Sequence, residues 1–153
     1  MSEVSLASRE AAHRMLLIEA GGRTEPAALA EAAERVNARL RLRLTSLIGL
    51  TGYAFLVARA VRLAQVEVPD LKPVTVTTLE TGAEGSLHGI REFAQACGGD
   101  SGRAEAGLSA LLAHIVGLLA TFIGEELALR LASEAWPELA NANTNVERRE
   151  GRA

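Results

Sequence analysis

The sequence predicts an all-α, single-domain fold of four to five helices packed around a buried C-terminal helix. Three observations carry that reading. Apolar residues make up 48% of the chain and aromatics only 3%, so the core is built from Leu, Ala, Val and Ile. Ala and Leu are also strong helix formers. Residues 106–124, AGLSALLAHIVGLLATFIG, run nineteen residues without a formal charge, interrupted only by His114. Apolar residues elsewhere recur at spacings of three and four, the period of a helix with one buried face. A chain of 153 residues fits one domain and can bury a core without disulfides or metals.

The elements follow in order. A first helix over 3–20 is stopped by Gly21-Gly22. Thr24 can cap the next helix, and Pro26 is tolerated in its first turn. In the second helix Leu29, Ala33, Val36, Leu40, Leu44 and Leu47 form one apolar stripe. The RLRLRL stretch inside it alternates like a strand, but the wider window is helical. Arg35, Arg39 and Arg43 form a basic stripe alongside, and Glu31 lies one turn before Arg35, placed to pair with it. Gly49 and Gly52 predict a kink, followed by a third helix over 53–65 that Pro69 and Pro73 end. Val74 to Thr78 alternates and is β-branched, so it favours an extended form. Such an edge could pair with its counterpart in a second copy. A short helix over 87–96, a CGGDSG loop and a last helix over 103–135, stopped by Pro137, complete the domain over 1–139. The polar tail over 140–153 is expected to be disordered.

Two internal registers compete. A shift of 68 residues matches eight of 24 positions between 48–71 and 116–139, including Ala60/Ala128, Ala64/Ala132 and Pro69/Pro137. A shift of 75 instead aligns LIG at 47–49 with FIG at 122–124.

The uncharged run is long enough to cross a bilayer. Its surroundings favour a buried soluble helix. Glu105, Glu125 and Glu126 flank it, and Trp136 lies twelve residues past its end, so no aromatic belt brackets it. Ala113, Gly117, Ala120 and Gly124 form a seam of small residues against which another segment can pack closely.

The net charge of −3 gives no nucleic-acid signal. Cys97 is the single cysteine, so no intrachain disulfide can form, which fits a reducing cytoplasmic compartment. The acidic, polar start does not read as a secretory leader. Arg, Ala and Gly bias suggests a bacterial origin with a GC-rich genome.

GDSG at 99–102 resembles the nucleophile motif of chymotrypsin-like serine proteases, and AAH at 11–13 their histidine motif. That chemistry needs two β-barrels to assemble His, Asp and Ser. In a short helical chain the same residues read as a turn, with Asp100 or Ser101 capping a helix. Glu10 and His13 form one Glu-x-x-His, where di-iron bundles use two, and His88 has Glu84 and Glu92 four residues either side. No metal, cofactor or catalytic residue is expected. His114, Thr121 and Glu125 share one edge of the last helix and could line a small polar ligand pocket. The Arg35, Arg39, Arg43 patch is expected to be neutralised by neighbouring Glu.

The sequence thus predicts a non-enzymatic, cytoplasmic helical protein acting through protein–protein interaction, most simply as a self-associating dimer. The alternatives are a membrane-embedded or membrane-bound helical protein and a ligand-binding bundle centred on His114.

Overall fold

Residues 4–78 and 83–139 are described by a computed structural model. Helix α1 (Leu6–Ala20) begins where the Ser5 side chain accepts a hydrogen bond from the Ser8 N–H, and it ends at a left-handed Gly21. Helix α2 (Pro26–Glu67) is 42 residues long and is broken at Gly49 into two arms, 26–48 and 50–67. A single 3-10 turn over Pro69–Leu71 follows. Strands β1 (Thr75–Val76) and β2 (Leu87–His88) make a minimal antiparallel pair. Helices α3 (Ile90–Ala96), α4 (Ser101–Ile123) and α5 (Glu125–Ala135) complete the order. The fold is all-α, with 79% of the described residues helical. The polar tail over 140–153 lies outside the described residues.

Helix α4 is the centre. It packs against α2, α1 and α5, and Leu108, Leu111, Leu112 and Ile115 are each 0% exposed. Asp100 caps it, accepting from the Arg103 N–H at 3.0 Å. The GDSG turn is therefore a helix start. Phe93 of α3 presses onto α4 at Gly107, where an added Cβ would lie 2.4 Å from the ring. The β1–β2 hairpin is tied to α2 by a buried polar chain. Tyr53 Oη donates to Asn37 Oδ1 at 2.6 Å, and Asn37 Nδ2 donates to the Gly85 carbonyl at 2.9 Å. Burial pushes the Tyr53 phenol up from its ordinary range, so it stays a neutral donor.

Four expectations change. The helix over 103–135 is two helices, because Gly124 sits at φ 94, ψ 144. Of the two glycines placed at the kink in α2, only Gly49 leaves helical geometry. Leu87 and His88 form a strand, so the following helix starts at Ile90. The extended segment at 74–78 finds its partner inside the chain: Thr75 pairs with His88 and Val76 with Leu87.

The two registers now fit together. The first arm of α2 and α4 begin 75 residues apart and end at glycines 75 residues apart, Gly49 and Gly124. Beyond the glycines the register is 68. Val68 (φ −129, ψ 91) and Trp136 (φ −127, ψ 82) end their helices alike. The Leu71 and Leu139 N–H groups then bond the Val68 and Trp136 carbonyls at 3.0 and 2.9 Å. Ala60/Ala128 and Ala64/Ala132 are all buried. The chain carries one helix–glycine–helix–proline plan twice. The difference between shifts of 75 and 68 is seven residues, about two helical turns, which preserves the buried face. Those two turns are present in the second arm of α2 and missing from α5.

Candidate functional site

The residues grouped in sequence as a polar pocket take separate partners. His114 is 7% exposed, and its Nε2 lies 3.0 Å from Glu67 Oε1 at the end of α2. Glu67 in turn receives both terminal nitrogens of Arg9 from α1, at 3.1 and 2.8 Å. Three helices thus meet at one carboxylate. The hydrogen bond from Arg9 holds the Glu67 carboxyl below its ordinary range, against burial, with His114 adding in the same direction. Thr121 is exposed and donates to the Gly117 carbonyl one turn back at 3.0 Å. Glu125 begins α5 and bonds the Ser5 side chain. The break at Gly124 is what takes Glu125 off the edge it would share with His114 on a continuous helix.

His13 joins α1 to α4 through Glu105 Oε1 at 2.5 Å, and His88 meets Thr77 Oγ1 at 2.6 Å. Among the described residues no group of three or more His, Cys, Asp or Glu could hold a metal ion. Burial pushes the Cys97 thiol up, away from the reactive thiolate.

The small-residue seam meets the chain's own N-terminal segment. A Cβ at Gly117 would lie 3.0 Å from Val4, Ala113 is buried, and Gly124 is exposed. The basic stripe is absorbed into the fold. Arg35 and Arg39 both reach Glu19, whose side chain is only 9% exposed, at 3.3 and 3.1 Å. Arg35 therefore pairs across to α1 and not with Glu31 along its own helix. Arg39 and Arg43 donate to the Ala135 and Glu134 carbonyls, closing the C-terminal end of α5, where cations are favoured. Arg39 also lies over the Trp136 ring, and Trp136 Nε1 donates to Glu19 Oε1 at 3.0 Å.

The feature that sequence reasoning missed is an apolar groove of about 560 Å³ between the second arm of α2 and the end of α4. Ile48, Gly52, Phe55 and Leu56 form one wall, Leu118 and Phe122 the other. Phe55 is 60% exposed, Phe122 76%, and Leu47, next in sequence to Ile48, 55%. Leu47 was expected in the core stripe, and its neighbours Leu40 and Leu44 are there. Leu47 and Phe122 are equivalent at the 75-residue register, each two residues before its glycine. Apolar exposure thus occurs at the same point of both arms. Gly52, Phe55 and Leu56 lie in the part of the second arm that α5 lacks. The signal in the sequence was the pair LIG and FIG.

Helices α2 and α4 are each long and apolar enough to cross a membrane, with 39% and 56% of their most apolar windows buried inside the protein. The chain matches no family model, no curated protein and no solved structure.

Proposed function

We propose that this chain is a non-enzymatic helical protein that acts by protein–protein association, first of all with a second copy of itself. The observation that carries this is the exposure of Phe55 and Phe122, both lining the groove, with exposed Leu47 next in sequence to the lining residue Ile48. Large aromatic side chains standing in water beside a concave apolar surface mark an association site. Knob and groove are adjacent on one face, so a two-fold axis lets each copy place its Phe122 against the other's groove. The polar side chains of the bundle support a structural role: His114, His13, Glu19 and Glu67 each bridge helices.

A second reading, a membrane-embedded bundle, draws on the length and hydropathy of α2 and α4. Expression without detergent separates the two. Self-association predicts a soluble species at twice the chain mass of 16.1 kDa by light scattering. Recovery only with membranes, resistant to alkaline wash, would overturn it.

A further inference from the structure

The groove between the second arm of α2 and the end of α4 carries one charged side chain, Arg59, and no acidic residue lines it. Seven other arginines of the bundle have acidic partners: Arg9 with Glu67, Arg35 and Arg39 with Glu19, Arg43 with Glu134, Arg91 with Glu34, Arg103 with Asp70 and Arg130 with Glu126, whereas exposed Arg23 and Arg62 share the lack of one with Arg59 but lie outside the groove. Arg59 makes no hydrogen bond or ion pair among the described residues. Ile48, Phe55, Leu56, Leu118 and Phe122 supply an otherwise apolar lining, with the Thr121 hydroxyl the second polar group. The volume of about 560 Å³ falls in the range that holds small molecules.

An apolar trough with a single cation is complementary to a single-chain amphiphile with an anionic head. We propose that this groove binds a fatty-acid-class carboxylate, its tail between Phe55 and Phe122 and its head on the Arg59 guanidinium. Guanidinium presents paired N–H donors that match a carboxylate, and the apolar walls remove the tail from water. The two extra turns of the second arm supply Phe55, Leu56 and the register that brings Arg59 to the groove, so the shorter α5 builds no equivalent. Its other wall, Leu118, Thr121 and Phe122, comes from α4, so both halves of the repeated plan build the site.

This inference does not rest on self-association, and the test keeps the two apart. Laurate binding is measured by calorimetry on the full chain and on Leu47→Glu, a change outside the groove lining that puts a charge on exposed apolar surface and is expected to weaken association of copies. Dodecyltrimethylammonium, with the same tail and a cationic head, is titrated in parallel. The laurate tail takes the space that the second copy's Phe122 enters in the dimer, so the expected result is saturable laurate binding in both proteins, tighter in Leu47→Glu, and at least tenfold weaker binding of the cationic probe. Arg59→Gln weakens laurate by about tenfold, the cost of one charge-assisted contact, and Phe55→Ala weakens it as well. Arg62→Gln, an exposed cation outside the lining, leaves it unchanged. Absence of laurate binding in both proteins overturns the site. So does equal affinity for the two head groups, or binding only to phosphatidylglycerol vesicles with none to the free acid.

Discussion

Gly49 and Gly124 hold one backbone conformation, φ 78, ψ 162 and φ 94, ψ 144, at equivalent points of two 23-residue helical arms. Neither would bring an added Cβ within 4 Å of another group. The requirement at both positions is therefore backbone geometry alone, a positive φ with extended ψ that only glycine adopts without strain. Alanine at either position is expected to destabilise the fold by about 1–3 kcal/mol, by similar amounts at the two sites. Urea unfolding of the two variants checks this. A neutral or stabilising Gly124→Ala would mean that α4 and α5 prefer to be one helix, as their sequence suggests.

Among the described residues Glu19 is the least exposed carboxylate of the ion pairs, held by two guanidinium groups and the indole of Trp136. Glu19→Leu leaves the buried Trp136 N–H without its acceptor, at a cost of about 1–3 kcal/mol. Glu19→Gln keeps an amide oxygen there and costs less. Trp136 is the only tryptophan, so its emission reports the same contact directly. The account predicts a larger spectral change in the Leu variant than in the Gln variant, and equal changes would contradict it.

The three-helix junction at Glu67 makes stability depend on acid. Its carboxyl is held below the ordinary value of 4.5, first by the Arg9 hydrogen bond. A depressed folded-state value means the contribution is complete above 4.5 and is lost as pH falls through the folded-state value. Arg9 and Glu67 are 40% and 37% exposed, so solvent screening limits the pair to about 1 kcal/mol or less. Glu67→Gln cannot titrate. Its stability deficit relative to the wild type should therefore shrink as urea unfolding is moved from neutral pH to well below 4.5. A deficit independent of pH would assign the effect to packing instead.

The fold was largely legible because α-helical periodicity and glycine and proline stops are local signals. The stripe from Leu29 to Leu44 is buried as its spacing predicts, and Pro69 and Pro137 close their helices. What local pattern could not supply was the conformation of a single residue. Gly124 inside an apolar run reads as helix, and only its φ turns one long helix into two. That residue also decides whether Glu125 can stand beside His114. The partners of the polar residues were equally non-local: Glu19 and Arg39, or His114 and Glu67, are joined only by how α1, α2 and α4 pack. The groove was illegible for a related reason. Leu47 and Phe122 satisfy the core spacing, and the glycine two residues on ends the packing that would have covered them.

The central claim is that the apolar face carrying Phe55 and Phe122 joins two copies. It is tested most directly by light scattering on Phe122→Glu, whose side chain is 76% exposed and should be tolerated by the fold. The predicted result is a helical protein at the mass of one chain, while the wild type runs at two. A Phe122→Glu protein that is folded and keeps the wild-type mass would contradict the account.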